Sequence, residues 1–239
     1  MVFAKGFFDL QFSFAERVRD LCGMPLEIAL FEYTNFYVRF GLGRGFNSDH
    51  NTWQTYIAGL HGADDGREWT YRFYLREPEA MTAPAVEATV GCFSYARPGS
   101  DHVRLHFRNK EADGRSPLGA ARVEQRRAEL SALFVRLKPS VSEDTPIVGA
   151  SWLYNLHAYR RLFPSGYTST SLPIRGGFRS MPLWGQFLNF RGEVRESMAS
   201  PFARALAQTS NLGRLNECFP FQALAARAPA HQFYDFYGV

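Results

Sequence analysis

Two neighbouring stretches in the middle of the chain alternate apolar and polar residues, and they restrict the possible folds more than any other feature. HVRLHFRN (102–109) puts Val103, Leu105 and Phe107 on one side of a strand and histidines and arginines on the other. ATVGCFSYA (88–96) precedes it, and the connecting RPGSD contains a Pro-Gly turn. The pattern predicts an antiparallel hairpin with one buried side and one basic side.

Strand-like and helical patterns alternate along the rest of the chain. Further strands are predicted at FFDLQFSF (7–14), EWTYRFYLRE (68–77), TPIVGASWLYN (145–155) and FRSMPLWGQFLNF (178–190). The last of these is one strand or two half-strands, followed by a turn at RGEV (191–194). Helices are predicted at 14–23, 24–40, 49–60, 117–138, 156–163 and 201–208. These elements predict an α+β fold with a mixed, largely antiparallel central sheet flanked by helices, in the order β-α-α-β-β-β-α-β-α-β.

The composition is that of a folded globular protein, with 46% hydrophobic and 21% charged residues. We expect one α/β domain over residues 1–190 and a C-terminal helical and aromatic extension over 191–239, packed on the same domain. No run of 18 apolar residues and no signal-peptide pattern occurs, so we expect a cytoplasmic protein without a membrane partner.

The formal net charge of +4 comes mainly from arginine, since lysine occurs only at positions 5, 110 and 138. Arginine suits phosphate and carboxylate ligands, and a GC-rich genome would give the same bias. The basic residues are scattered, so no nucleic-acid partner is expected. His102 and His106 would be about 13 Å apart on a strand, and the three cysteines are far apart, so no metal site is expected.

The stretch NLHAYRRLFPSGY (155–167) follows the apolar run and, together with the element order, indicates a family. Its Asn155, Ala158, Gly166 and Tyr167 resemble a motif of the GNAT superfamily of acyl-CoA-dependent N-acyltransferases, which follows their fifth strand. The resemblance implies transfer of an acyl group from acyl-CoA to an amine, with a sheet splayed around the cofactor. The same residues also suit a plain strand-helix corner, in which Gly166 takes a positive φ.

The resemblance also implies roles for single residues. Asn155 would bind the pantetheine arm of acyl-CoA, the proposed co-substrate, and His106 on the fourth strand would deprotonate a small-molecule amine acceptor. Arg104 and Arg108 flank His106, and neighbouring cations favour a neutral imidazole. The family's tyrosine is missing, because Leu162 fills its position, so Tyr159 is the expected proton donor to the thiolate.

The family's pyrophosphate loop is matched loosely by DGRSPLGAA (113–121), which has one residue too many. We predict that a helix begins after Ser116 and that its first amides bind an anion. The residues expected to hold the cofactor's phosphates are Arg108, Arg115, Gly119 and Ala120.

Two further residues are expected near the substrate. Arg44 lies in GLGRG (41–45), where the family has acceptor contacts, although GLGRG lacks the ending of a P-loop and is predicted as a glycine turn. Ser151 is expected to bond a ligand or the backbone. An esterase nucleophile at Ser151 is a weaker alternative, because the second glycine of a nucleophile elbow is missing.

A different class of function stays open. The basic side of residues 102–109 could be a solvated surface without chemistry. The loosened pyrophosphate loop and the missing tyrosine favour, as the alternative, a non-catalytic ligand-binding or protein-interaction protein on a degenerate GNAT-like fold. The aromatic ending HQFYDFYGV (231–239) could cover the sheet or pair with a second copy in a homodimer.

Overall fold

Helices and strands both contribute to the fold, and the predicted α+β class is confirmed. A computed structural model describes residues 2–76, 86–99, 101–111 and 113–239. In this part of the chain the α-helices are α1 Lys5–Cys22, α2 Leu26–Tyr33, α3 Phe36–Arg39, α4 Asn51–His61, α5 Gly66–Arg76, α6 Val123–Leu137, α7 His157–Arg160, α8 Ser165–Ser169, α9 Met181–Trp184, α10 Glu196–Gln208 and α11 Ala230–Tyr237. The strands are β1 Ala88–Val90, β2 Phe93–Ala96, β3 Val103–Phe107, β4 Pro146–Ser151, β5 Leu172–Pro173 and β6 Leu224–Pro229.

The chain divides into two compact units, each built from two separate stretches. The first unit consists of Met1–Thr82 and Arg175–Pro220, and the second of Ala83–Ile174 and Phe221–Val239. The boundary predicted after residue 190 stays a prediction. None of the helices in the described residues is long and apolar enough to span a membrane.

The first unit begins with helix α1, so the strand predicted over residues 7–14 was wrong. The alternation in FFDLQFSF is a short piece of a longer helical pattern. The buried residues of α1 recur at three- and four-residue spacings, and they are Phe7, Phe8, Gln11, Phe12, Phe14, Ala15 and Val18. Phe14 makes edge-to-face ring contacts with Trp184 and Phe219, which shows that α1 supplies the aromatic core of this unit.

Helix α5 covers most of the strand predicted over residues 68–77, which was also wrong; residue 77 lies outside the described residues. Asp65 starts the helix, since its carboxylate accepts hydrogen bonds from the backbone N–H groups of Arg67 and Glu68 at 2.9 and 3.1 Å. Asp65 followed by Glu68 is a capping signal that the alternation concealed. The buried residues Thr70, Phe73 and Tyr74 then follow at helical spacing.

The strand predicted over residues 178–190 was wrong as well. Met181–Trp184 forms α9 and Gly185–Phe187 continues as a 3₁₀ turn. Extended pairing in this stretch is limited to one bridge between Leu188 and Val194. The Trp184 indole donates to the carbonyl of Phe178 at 2.6 Å, so the tryptophan closes a compact turn in place of a strand.

The second unit holds the sheet, whose strand order is β1-β2-β3-β4-β6-β5. β3 pairs with β4 in parallel, and the other neighbours are antiparallel. The predicted hairpin is confirmed as β2 and β3. The predicted strand over residues 88–96 is in fact two strands, because Gly91 at φ 54° turns the chain between them.

One face of the sheet is covered by helices, among which α6 connects β3 to β4. Leu130, Leu133 and Phe134 of α6 are buried in the core of the unit, together with Val103 and Ile147 from the two strands. The helix predicted over residues 117–138 is confirmed over Val123–Leu137, but a 3₁₀ turn precedes it.

A buried ion cluster fixes α6 against the hairpin of β1 and β2. The Arg126 side chain is 1% exposed and pairs with Glu129 at 3.0 Å and with Glu111. Glu129 accepts a hydrogen bond from the Cys92 N–H at 3.0 Å. A Cβ on Gly91 would lie 2.0 Å from the Glu129 carboxyl carbon, so this approach requires glycine in the turn.

We predict that Arg126→Met lowers the free energy of unfolding by about 3–5 kcal/mol, because it leaves the Glu129 carboxylate, which is 11% exposed, without its cation. Chemical denaturation measures the loss. The additional change Glu129→Gln should recover part of it. Arg136→Met, at an exposed position on the same helix, should change stability by about 0.5 kcal/mol or less. Equal losses for Arg126→Met and Arg136→Met would contradict a stabilising cluster.

Candidate functional site

The parallel strands β3 and β4 separate at their carboxyl ends. Their ladder runs from the pair Val103 and Ile147 to the pair Leu105 and Gly149, and it ends there. Each strand then continues for two residues, which pair only with the outer neighbours β2 and β6. The resulting gap lies in the middle of the sheet, where backbone groups that face it have no ladder partner across it.

His106 lies beside this gap, on the face of the sheet opposite the helical core. It pairs with Ser94 of β2 and is half-buried. Val103 and Leu105 are buried and Arg104 is exposed, so the alternation predicted for this stretch is confirmed. The structure therefore brings His106 to the carboxyl end of a parallel strand.

Gly149 allows two tyrosine hydroxyls to reach strand β4 where the gap begins. A Cβ at this position would lie 2.0 Å from Oη of Tyr154 and 2.4 Å from Oη of Tyr167. The two hydroxyls are hydrogen-bonded to each other at 2.5 Å. The gap thus has tyrosine hydroxyls on its helical side and His106, whose Nε2 atom is buried, on the opposite side.

Tyr159, the predicted proton donor, is buried in the same tyrosine cluster. Its ring packs edge-on against Tyr154, with centroids 5.2 Å apart. Burial raises the pKa of Tyr154, Tyr159 and Tyr167 above the usual value of about 10, so all three stay protonated at neutral pH. No role was predicted for Tyr154, because its contact with Gly149 depends on the fold.

Asn155 ends the 3₁₀ turn that follows β4, and both of its amide hydrogens are used within the protein. They are donated to the carbonyls of Trp152 and Gln222, at 2.7 and 2.8 Å. Gly166 lies inside α8 and does not have the positive φ that was predicted, so that prediction was wrong. In this stretch the predicted strand-helix corner is held by Asn155 rather than by a glycine.

The loop before α6 differs from the predicted anion-binding helix start. Gly119 donates its N–H to the carbonyl of Ser116 at 3.2 Å, and the helical turn begins only at Ala120, which is exposed. The N–H of Arg115 donates to Asp113 and holds the pKa of that carboxyl below its usual range, with Arg122 adding to the effect. The amide of Gly119 and the cation of Arg122 are therefore already engaged.

Arg115 and Arg108, the two arginines predicted to bind the cofactor's phosphates, are less engaged with carboxylates than Arg122 is. Arg115 is 81% exposed on its side chain and lies 4.0 Å from Asp113. Arg108 follows β3 and is exposed; its backbone N–H donates to the carbonyl of Cys92 at 2.8 Å. Among the described residues, the Arg108 guanidinium has no ion-pair partner.

Ser151 and Arg44, the predicted substrate contacts, lie in different units. The Ser151 hydroxyl accepts a hydrogen bond from the N–H of Leu153 at 3.1 Å, which starts the 3₁₀ turn after β4. Arg44 is exposed in the first unit, and Gly41 and Gly43 beside it have φ values of 76° and 81°, so the predicted glycine turn is confirmed.

A stacked pair of aromatic rings at the carboxyl end of β4 was not predicted. Trp152 and Phe221 lie with their centroids 5.9 Å apart and their planes 5° from parallel. Both are half-buried and flank the start of β6. A tryptophan at a strand end was visible in the sequence, but its partner comes 69 residues later, and no local pattern connects them.

We predict that Gly149→Ala destabilises the protein by about 1–3 kcal/mol, because its methyl group would overlap the two tyrosine hydroxyls. In a Tyr154→Phe, Tyr167→Phe background the same change should cost less, and thermal unfolding of the four proteins measures the difference. Gly45→Ala is the control, since an added Cβ there meets nothing within 4 Å. An identical loss of stability in both backgrounds would contradict the overlap between the added methyl group and the hydroxyls of Tyr154 and Tyr167.

Known proteins give no further guidance to the function of this chain. No protein-family model, no curated protein and no solved structure matches it. Its function therefore has to be inferred from the geometry of its own residues.

Proposed function

We propose that this protein is an acyltransferase that moves an acyl group from acyl-CoA to an amine at the gap between β3 and β4. The observation that carries the proposal is the parallel ladder that ends at Leu105 and Gly149, with His106 on one side and tyrosine hydroxyls on the other. A thioester bound in the gap would meet a base and proton donors. The backbone groups that face the gap could bind its amides.

The order of elements in the second unit supports this proposal. β1, β2, β3, α6, β4, the pair α7 and α8, and β5 follow one another as β-β-β-α-β-α-β. This is the later portion of the order expected for a GNAT-like protein. In that order β3 and β4 correspond to the fourth and fifth strands, between which the superfamily binds its cofactor.

In the proposed reaction the acceptor nitrogen attacks the thioester carbon, and the carbon-sulfur bond breaks. His106 accepts the proton that the amine loses. Tyr159, through its neighbours Tyr154 and Tyr167, donates a hydrogen bond towards the departing thiolate of coenzyme A. The proton taken by His106 is passed through solvent to the thiolate, so that His106 returns to its neutral form. Orientation of the two substrates across the gap accounts for most of the rate enhancement.

The other predicted residues keep proposed binding roles. Asn155 would offer its side-chain oxygen to the pantetheine arm, since its amide hydrogens are used, and Ser151 would bond the substrate near the end of β4. The proposed contacts for the cofactor's phosphates are Arg108, Arg115 and Ala120, whereas the amide of Gly119 is already donated to the carbonyl of Ser116.

A non-catalytic ligand-binding or interaction protein is the second candidate. The observation that favours it is the negative charge in the loop expected to hold pyrophosphate. Arg122 pairs there with Asp113 and, at 3.0 Å, with Glu111, so two carboxylates lie where an anionic ligand is expected. Such a loop weakens cofactor binding, whereas the gap between the strands would still accept a ligand.

Binding of acyl-CoA tests the proposal first. Calorimetry and thermal shift with acetyl-CoA and longer acyl-CoAs should show saturable binding, and adding amines should release free thiol. Absence of binding up to millimolar concentration would contradict the acyltransferase. Binding without amine-dependent thiol release would favour the non-catalytic candidate.

We predict that His106→Gln lowers kcat for amine acylation about 100-fold or more, because the amine loses its base, while the Kd for acyl-CoA changes little. Steady-state thiol release and calorimetry measure the two quantities. His102→Gln is the matched control, since His102 immediately precedes the same strand and lies away from the gap. A similar loss of kcat in both variants would exclude His106 as the base.

A further inference from the structure

Two arginines lie side by side across the sheet, on its open face, which is the face opposite the helices. Arg104 of β3 pairs with Val148 of β4, and Val148 pairs in turn with Arg227 of β6. Directly paired residues point to the same face, so the two arginines flank Val148. With neighbouring strands about 4.8 Å apart, their Cα atoms are separated by about 10 Å.

Both guanidinium groups are available to a ligand. Arg104 and Arg227 are exposed, and neither side chain makes an ion pair or hydrogen bond with any residue that the structure describes. The backbone of Arg227 is fixed at both its N–H and its carbonyl by the Thr170 hydroxyl, at 2.9 Å each. Other arginines of this unit, such as Arg122 and Arg126, are paired with carboxylates.

One carboxylate lies near this pair without forming a contact with it. The hydrogen bond from His102 lowers the pKa of Asp101, and the charge of Arg227 lowers it further. The Asp101 side chain is 79% exposed and bonded to His102 at 2.9 Å. It therefore leaves the space between Arg104 and Arg227 open to another anion.

The two arginines share their face with His106. His106 lies two residues after Arg104 on the same strand, so the two Cα atoms are about 7 Å apart. The residues next to them on this face are small, since Ala150 and Ala225 pair beside the gap. A ligand whose anionic group binds the arginines would thus extend over small side chains to the imidazole.

We infer that the acceptor amine carries a carboxylate, as an amino acid does, and that Arg104 and Arg227 bind this carboxylate while His106 faces the amine. The inference rests on the proposed acyltransferase function. Carboxylates form strong, charge-assisted hydrogen bonds with arginine. Arg104 and Arg227 are accordingly specificity residues, and they take no part in cofactor binding.

The test compares amino acids with the amines that lack only the α-carboxylate, such as phenylalanine with phenethylamine and lysine with cadaverine. At least one amino acid should have a kcat/KM at least about tenfold above that of its amine. Arg104→Gln and Arg227→Gln should each raise the KM of that amino acid about tenfold or more and leave the amine unaffected. Arg136→Gln, on the helix that covers the opposite face, should change neither.

Two results would overturn the inference and leave the proposed function intact. One is equal use of every amino acid and its matched amine by the unchanged protein. The other is weaker acyl-CoA binding in Arg104→Gln and Arg227→Gln with unchanged acceptor KM, which would assign the arginines to the cofactor.

A binding measurement separates the inference from the proposed function. Calorimetry with N-acetyl-phenylalanine and N-acetyl-lysine needs no turnover. If no amine is acylated but these carboxylates bind and both arginine variants lose that binding, the acyltransferase fails and the carboxylate site stands. If neither compound binds and no amino acid is acylated, the carboxylate site fails as well.

Discussion

The parallel pairing of β3 with β4 is the constraint on which the second unit depends. Parallel neighbours cannot be joined by a tight turn, so the chain needs a crossover, and α6 supplies it. α6 in turn buries one face of the sheet and is anchored to the hairpin through Arg126. Because both strands point the same way, their carboxyl ends and the loops that follow them meet at one edge.

This arrangement makes the two faces of the gap chemically different. The helical face holds tyrosine hydroxyls in an apolar surrounding, where burial keeps them protonated. The open face holds His106 and exposed arginines. In the proposed reaction, a substrate that lies across the gap would meet neutral hydrogen-bond donors on one side and the imidazole of His106 with two cations on the other, a division that suits the separate handling of a thiolate and an amine.

The sequence predicted the elements whose patterns are local and missed those that depend on distant partners. The alternation of residues 102–109 was sufficient for β3, whereas the alternation of residues 7–14 was overridden by a helical period extending to Val18. β6 was missed because LAARAP is rich in alanine, a poor strand former, and its stability comes from pairing with β4.

In the candidate site, too, the residues with a local pattern were predicted and the contacts between distant residues were missed. His106 could be predicted because it alternates with apolar neighbours on its own strand. The approach of Tyr154 to Gly149 and the alignment of Arg104 with Arg227 depend on strand register and helix packing, which no single segment encodes.

The charges of the second unit are divided between paired and unpaired arginines, and the difference follows from burial. Arg126 is buried, so it needs carboxylates to offset its desolvation. Arg104 and Arg227 are solvated, and two like charges about 10 Å apart in water repel each other by only about 0.4 kcal/mol. Folding therefore tolerates this pair without a partner, and the cations stay available. A bound carboxylate would interact with both at once, and the small residues beside the gap would direct the rest of that ligand towards His106.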